Sequence, residues 1–154
     1  MQGWRQMAAA DLPDVVRIGD IVHAEFPESP ALFAERLALF PDGCLKTLDG
    51  YAIAHPVRTG YPPPLDTMLG TLDPAADALH VHDVALLPSR RGHGLGAAAM
   101  AHFIAVAQAH GLARLSLVSV YGTRTYWSRF GFVQMPKAGL ESYGPEAAYM
   151  ERGL

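Results

Sequence analysis

Two groups of residues in the second half of the chain have types and spacings that suit chemistry. The turn Arg91-Gly92-His93-Gly94-Leu95-Gly96 joins an arginine to alternating glycines, and His80 and His82 lie two residues apart shortly before it. Glycines leave backbone N–H groups open to an anion, and imidazole titrates near neutral pH. The turn therefore suits a phosphate-bearing ligand, and the two histidines are candidates for moving protons at neutral pH.

The turn needs a strand before it and a helix after it to hold its backbone in place. Val84-Ala85-Leu86-Leu87 is apolar enough for a buried strand, and Pro88 ends it because proline has no N–H to donate. Alanine fills 7 of the 14 positions from Ala97 to His110, which predicts a helix. Gly111 then supplies the left-handed residue that ends this helix.

Charge in this half of the chain favours an anionic ligand. The first N–H groups of a helix lack intrahelical acceptors and carry the positive end of the helix dipole. No Asp or Glu occurs from Val84 through Leu140, whereas basic residues recur: Arg90, Arg91, Arg114, Arg124, Arg129 and Lys137. Both features predict a polyphosphate ligand. The alternative is a glycine turn that only allows tight packing.

Three kinds of polyphosphate site can be compared with the turn. A nucleotide P-loop requires a lysine after the glycines, and none follows. A dinucleotide fingerprint requires an acidic residue about 20 positions later, but the next acid is Glu141. The third pattern, Gln/Arg-x-x-Gly-x-Gly/Ala, is filled by Arg91-x-x-Gly94-x-Gly96. This turn resembles the acetyl-CoA-binding turn of the GNAT N-acetyltransferase superfamily.

The resemblance extends on both sides of the turn. Val84-Ala85-Leu86-Leu87-Pro88 is similar to the family's strand that holds the pantetheine arm, and Tyr126-Trp127-Ser128-Arg129-Phe130-Gly131-Phe132 is similar to its Phe/Tyr-Tyr-x-x-x-Gly-Phe element. The start, Trp4 to Met7 followed by Asp11-Leu12-Pro13, resembles the opening of these domains. The resemblance covers roughly the second half of the chain and implies acetyl-CoA as cosubstrate. The CoA-binding residues that it implies are Val84, Leu86, Arg91, Gly92, His93, Gly94, Gly96 and Ala97.

The resemblance also implies an α/β (α+β) fold, a single GNAT domain over residues 1–154 with a mixed, V-splayed β-sheet and helices on both faces. Periodicity and turn chemistry predict a compatible order of elements. The first half contains an edge strand Trp4–Met7, a helix capped by Asp11 with Val15, Ile18, Ile21 and Val22 on its buried face, a helix from Ser29-Pro30 to Phe40, strands Cys44–Leu48 and Tyr51–Val57 joined by an Asp49-Gly50 turn, and a loop over residues 59–77. After the central helix follow a strand Arg114–Val120, a helix Thr123–Phe130, and strands Phe132–Met135 and Ala147–Arg152.

Composition limits the class of protein. The chain has 154 residues and half of them are apolar, which suits one domain with a full core. A net charge of −3 is too small for non-specific nucleic-acid binding, and the single cysteine, Cys44, cannot form an internal disulfide. No apolar run reaches membrane-spanning length, and Met1-Gln2-Gly3-Trp4 does not begin a signal peptide. We expect a soluble, cytoplasmic protein without nucleic-acid or membrane partners, and a homodimer is left open.

Acetyl transfer from a thioester to an amine needs a base. An alkyl ammonium has a pKa of about 10.4, so only about one molecule in 10³ is the free amine at pH 7. His82 and His80 are the candidates, since residues two apart on a strand share a face. This His-x-His pair also resembles arylalkylamine N-acetyltransferases, in which such a pair lines a proton-wire route. The alternatives are structural histidines or a metal site, which we do not expect, and Asp83 faces the other way unless a bulge intervenes.

The general acid is where the sequence departs from the family. The family's tyrosine lies five residues before the Phe of the Gly-Phe pair, and Trp127 occupies that position. Indole has no proton to give at a useful pH. Tyr126 lies about 100° round the helix from it, and we expect Tyr126 to pack in the core. Water, Tyr121 or Tyr126 would then protonate the departing thiolate.

The acceptor amine is not specified by the sequence. Glu25, Phe26, Tyr61 and Tyr143 occupy segments that flank the acceptor groove in the family, whereas His55 is assigned no role. The first hypothesis is an enzyme that acetylates a primary amine, on a small molecule or a peptide, by direct attack in a ternary complex. The second is an acyl-CoA-binding sensor or interaction module of the same fold with weak or no catalysis, which Trp127 favours.

Overall fold

A seven-stranded mixed sheet runs through the computed structural model, which describes residues 3–154. Met1 and Gln2, the start of the predicted domain, lie outside the described residues. The strands in chain order are β1 (Arg5–Gln6), β2 (Cys44–Thr47), β3 (Gly50–Val57), β4 (Ala78–Leu86), β5 (Arg114–Ser119), β6 (Val133–Gln134) and β7 (Ala148–Gly153). Their order across the sheet is β1-β2-β3-β4-β5-β7-β6, and every neighbouring pair is antiparallel except β4 and β5, which are parallel.

Helices cover both faces of this sheet, as the sequence predicts. The helices are α1 (Leu12–Val22), α2 (Pro30–Leu39), α3 (Leu95–Ala109) and the short α4 (Arg124–Ser128). On one face Val15 and Phe33, from α1 and α2, pack with Tyr51 and Ile53 of β3. On the other face Met100 and Phe103 of α3 belong to a buried cluster with residues of the sheet. These are Leu79 of β4 and Leu115 and Leu117 of β5. None of the helices within residues 3–154 is long and apolar enough to cross a membrane.

The two parallel strands separate partway along their length. Ala78–His80 of β4 pair with Arg114–Ser116 of β5, and no pairing between the two strands follows within the described chain. β4 nevertheless continues to Leu86 and β5 to Ser119. The predicted V-shaped splay is therefore present, and it leaves a wedge between the carboxyl halves of these strands.

A β-bulge on β4 sets the direction of the side chains at this wedge. Ile53 of β3 pairs with Asp83, but the next residue, Ala54, pairs with Val81, so His82 is the extra residue. An extra residue resets the alternation of side chains along a strand. Asp83 thereby faces the same side of the sheet as Tyr51, to which it is hydrogen-bonded. The bulge that would turn Asp83 toward the histidines is thus present.

Two local predictions need correction. The hairpin turn consists of Leu48 and Asp49, because Gly50 already pairs with Thr47 in the sheet. Gly50 is required for close approach instead: a Cβ there would lie 2.6 Å from Leu86 Cδ2 and 3.1 Å from the carbonyl oxygen of Ala85. Ile21, predicted on the buried face of α1, is 53% exposed, since it lies about 120° round the helix from Val15.

Candidate active site

The wedge between β4 and β5 opens into a cleft of about 650 Å³. One end is formed by the backbone of the glycine turn and the start of α3, represented by Gly92, Gly94 and Ala97. The other end carries titratable side chains, among them His82 and Asp83. The cleft therefore joins the two groups of residues that the sequence singles out.

The turn end presents open backbone. Gly92 and Gly94 both have φ of +77°, a left-handed conformation that favours glycine, and a Cβ at either position would meet nothing within 4 Å. Gly94 caps α3, and the first backbone bond of the helix runs from the Ala98 N–H to its carbonyl at 3.1 Å. The N–H groups of residues 95–97 thus have no acceptor within the helix. This end is suited to an anion.

The predicted CoA-binding residues fall at this end, with one exception. Val84 and Leu86 line the wedge from β4, and Arg91, Gly92, Gly94, Gly96 and Ala97 line it from the turn and α3. The Arg91 side chain is oriented by an Nε–H bond to the Leu86 carbonyl at 3.1 Å. His93 is exposed and does not belong to the lining of the cleft.

Tyr126 contacts the start of α3, and its predicted place in the core is wrong. Its side chain is 41% exposed, and a Cβ on Gly96 would lie only 2.0 Å from its hydroxyl oxygen. The apolar contact is made instead by Trp127, which packs against the α3 cluster and meets Tyr126 edge-on at 4.9 Å. Because α4 is only five residues long, few of its side chains can face the core, and Trp127 rather than Tyr126 does so. Burial raises the pKa of the Tyr126 hydroxyl.

His82 is held by a carboxylate that the sequence did not identify. Its Nε2 lies 2.6 Å from Oε1 of Glu28, and the two side chains are 1% and 7% exposed. Glu28 is itself fixed, because its second oxygen accepts the Asp66 backbone N–H at 2.8 Å. When the imidazole is neutral and donates Nε2–H to Glu28, its lone pair is on Nδ1, which is buried and has no hydrogen-bond partner in the described chain. An oriented imidazole with a free acceptor nitrogen is the usual arrangement of a general base.

Asp83 forms a second carboxylate–imidazole pair next to the first. Its Oδ2 accepts the Tyr51 hydroxyl at 2.6 Å and His23 Nε2–H at 2.8 Å. Burial alone would raise the pKa of Asp83, but the charges of His23 and His82 and the hydrogen bonds from His23 and Tyr51 outweigh it and leave the pKa lowered. The charge of Asp83 in turn raises the pKa of His23, against the effect of burial. The pair favours carboxylate and imidazolium.

His80 lies behind this site and does not line the cleft. It is buried, and its Nδ1 lies 3.0 Å from the hydroxyl of Ser116. The ring centroid of His55 is 5.6 Å from that of His80, and Nδ1–H of His55 donates to the Pro56 carbonyl at 3.0 Å. Burial lowers the pKa of His55 to about 3 and holds that of His80 well below its ordinary value. Both imidazoles are therefore neutral at physiological pH.

The remaining sequence candidates divide between the cleft and the outer surface. Phe26 and Tyr143 line the cleft, and the Tyr143 hydroxyl donates to the carbonyl of Pro63. Tyr121 also lines it, beside His23. Tyr61 is exposed, 5.6 Å below the ammonium of Lys137, and Glu25 does not belong to the lining. Within residues 3–154, no group of three or more His, Cys, Asp or Glu side chains is arranged to hold a metal ion.

Comparison with known proteins agrees with this geometry. The sequence model of the acetyltransferase (GNAT) family matches residues 24–132, which is more than half of the chain. A search of the curated proteins finds no match. The chain belongs to the acetyltransferase (GNAT) family.

Solved structures share the fold at low sequence identity. Ard1 from Thermoplasma volcanium is 16% identical with a TM-score of 0.72, and the match covers 98% of this chain and 96% of that one. The loading GNATL domain of CurA from Lyngbya majuscula is 12% identical with a TM-score of 0.79, over 97% and 96% of the two chains. Arabidopsis thaliana Naa50, in complex with the bisubstrate analogue CoA-Ac-MVNAL, is 11% identical with a TM-score of 0.71, over 98% and 97%.

Proposed function

We propose that this GNAT-family protein transfers an acetyl group from acetyl-CoA to a primary amine, by direct attack of the amine in a ternary complex. The pyrophosphate of CoA binds the backbone N–H groups at the start of α3. The pantetheine arm enters the wedge along Val84 and Leu86. Naa50, which has the same fold, has been solved with an analogue whose name joins CoA, acetyl and a peptide, and this supports CoA as the donor.

The observation that carries the proposal is the free Nδ1 of His82. An ammonium group must lose a proton before it attacks a thioester, because at pH 7 only about one molecule in 10³ is the free amine. Glu28 fixes the Nε2–H tautomer of His82, so Nδ1 is the nitrogen that can accept this proton. A positioned base of this kind typically accelerates a reaction by roughly 10²–10⁴.

The charge of the same end of the cleft favours a cationic acceptor. Glu28 and Asp83 are the carboxylates in the lining, and Phe26 and Tyr143 supply aromatic surface beside them. An ammonium is attracted by carboxylates in a partly dehydrated site and by aromatic faces. We infer an amine on a small molecule or at a peptide terminus, and the cleft does not choose between them.

The proposal is tested by two measurements on the unmodified protein. Free thiol release from acetyl-CoA is followed against a panel of primary amines and peptides, with mass spectrometry of the products, and CoA binding is measured by calorimetry. We expect CoA binding and thiol release that depends on at least one amine, with an N-acetylated product. CoA binding without any transfer would favour the acyl-CoA sensor, and absence of CoA binding would contradict both functions.

A further inference from the structure

A hydrogen-bonded chain of four side chains leads from the core to the open cleft, and the transfer as described above does not use it. Tyr51 and His23 both donate to Asp83, and His23 Nδ1 lies 3.3 Å from the hydroxyl oxygen of Tyr121. The rings of His23 and Tyr121 are stacked, with centroids 6.0 Å apart and planes inclined by 17°. The chain ends at a phenol that lines the cleft.

The backbone at Tyr121 is unusual for an aromatic residue. Its φ is +54°, and the other non-glycine residues with positive φ among those described are Asp49 and Asp66. Aspartate tolerates this region, whereas a bulky side chain is strained there. The conformation is adopted directly after β5, where the chain turns toward α4. Strain of this kind is concentrated at functional sites, where it aims a side chain.

His23 is surrounded by groups that favour its protonated form. It is the C-terminal capping residue of α1, where the helix dipole stabilises a cation. Asp83 on β4 is hydrogen-bonded to it, and Glu28, in the segment before α2, adds a second negative charge. Tyr51 on β3 faces the same carboxylate, and Tyr121 is a neutral phenol, whose pKa burial raises further above its ordinary value. In the imidazolium, Nδ1–H donates to the Tyr121 oxygen and leaves the phenol O–H to point onward.

We propose that Tyr121 is the general acid of the transfer and that His23, held by Asp83, is the positioning residue that resupplies its proton. As the amine nitrogen forms its bond to the acetyl carbon and the carbon–sulfur bond breaks, sulfur takes the phenol proton and the phenol oxygen takes the Nδ1 proton of His23. One ammonium proton leaves through His82 to solvent. The second, released as the amide forms, restores the charge of His23 through solvent, so each turnover releases one proton.

This inference rests on the proposed function, and a spectroscopic test separates the two. The thiolate of bound CoA is followed by its ultraviolet absorbance during a pH titration, which requires CoA binding but no turnover. A phenol that donates to the thiolate lowers the pKa of the thiol. Tyr121→Phe should therefore raise the pKa of the bound thiol. Tyr61→Phe, the same chemical change outside the cleft, is the matched control and should leave it unchanged.

Kinetics supply the second arm of the test. Tyr121→Phe should lower kcat by roughly tenfold or more with little change in the KM for acetyl-CoA, since the lost proton is needed only in the transition state. In the wild type, kcat should fall as pH rises through the raised pKa of His23, because the neutral imidazole has no Nδ1 proton to give. His23→Gln should remove this alkaline limb.

Three outcomes would overturn the inference. An unshifted thiol in Tyr121→Phe, together with wild-type kcat, would show that Tyr121 does not meet the sulfur while the proposed function stands. An alkaline limb that persists in His23→Gln would remove His23 from the relay. Absence of CoA binding in the wild type would reject the proposed function and the relay together.

Discussion

The two ends of the cleft are built in different ways. The turn end is built mainly from the backbone of one continuous segment, Val84 to Ala97, and glycines at 92, 94 and 96 leave that backbone open. The titratable end is made of side chains from separate parts of the chain: His23 after α1, Glu28 before α2, Tyr51 on β3, His82 and Asp83 on β4, and Tyr121 after β5. One end is local in sequence, and the other exists only in the folded protein.

This difference implies that one end of the cleft binds the donor and the other end catalyses the transfer, and mutations can separate the two functions. Backbone N–H groups at a helix start bind an anion without any titration, so binding of the donor should depend little on pH. The other end holds two carboxylate–imidazole pairs, His82–Glu28 and His23–Asp83, whose hydrogen bonds orient the imidazoles for proton transfer. Substitutions at the turn should therefore act on binding, and those at the titratable end on turnover.

The largest effect is expected from Gly94→Glu. A glutamate at φ +77° is strained, and its carboxylate would lie among the N–H groups that we propose to bind the pyrophosphate. The affinity for CoA should fall by at least about a hundredfold in calorimetry. Gly70→Glu is the matched control, because Gly70 has φ +74° and equally open space but lies in the loop between β3 and β4. Equal CoA affinity in the two variants would contradict the assignment of the turn.

A second substitution should separate turnover from binding at the other end. His82→Gln keeps a polar side chain but removes the nitrogen that we propose to accept the ammonium proton, so kcat/KM should fall by roughly a hundredfold. The pH–rate profile should differ from that of the wild type, because the proposed base has been removed. CoA affinity should stay within the error of calorimetry.

Glu28→Gln is the companion variant. The amide oxygen of the new glutamine can still accept from Nε2–H of His82 but carries no charge, so Glu28→Gln should lower kcat/KM less than His82→Gln does. The double variant should lose less activity than the product of the two single losses. Full activity in His82→Gln, with an unchanged pH profile, would leave the base unassigned and would weaken the proposed contrast between the two ends.

The same contrast explains what the sequence could predict. The strand, turn and α3 unit follows from residues close together in the chain: Pro88 after the strand, glycines at 92 and 94, and an alanine-rich helix. The sheet, the splay and helices on both faces follow from element order and from the family resemblance. Boundaries moved by a few residues, as at α3, which begins at Leu95 rather than Ala97.

The titratable end could not be derived in this way. Glu28 and His82 are 54 residues apart, and His23 and Asp83 are 60 apart, with no local pattern that connects them. The sequence indicates His82, Asp83 and Tyr121 one by one, and the segment before α2 through Glu25 and Phe26, but it does not identify Glu28 or His23 as their partners. Tyr126 and Trp127 show a related limit, because the core side of a five-residue helix is decided by what it packs against rather than by its own periodicity.

A third prediction concerns the histidine behind the cleft. His80 has a lowered pKa in the folded protein, so below about pH 6.5 the unfolded chain binds a proton that the folded protein does not, and the free energy of unfolding falls as pH drops. His80→Asn can keep a hydrogen bond to Ser116 but has no imidazole, so the unfolded chain no longer gains a proton at this position. When the pH is lowered from 7 to 5, the free energy of unfolding measured in urea should fall by about 2 kcal/mol less in the variant than in the wild type.

The control for this measurement is His110→Asn, at an exposed histidine on the surface. It shows what the loss of an imidazole does to the unfolding curves in general. If the wild type and His80→Asn had parallel free energies of unfolding from pH 7 to pH 5, the buried imidazole would not be neutral, and His80 would have to be counted with the titrating residues of the cleft.

The smallest effect is expected at Tyr126, beside the turn end of the cleft. Its hydroxyl lies against Gly96 at the start of α3, and the ring packs on Trp127 and Phe130. Tyr126→Phe keeps the ring, so kcat should fall by less than about tenfold, below the usual contribution of a positioned acid. Steady-state kinetics beside Tyr121→Phe make the comparison direct, because each variant removes one phenol from the same cleft. A loss of a hundredfold in Tyr126→Phe, with CoA affinity retained, would make Tyr126 the acid. The phenol at the turn end would then do the proton chemistry that we assign to Tyr121 and His23.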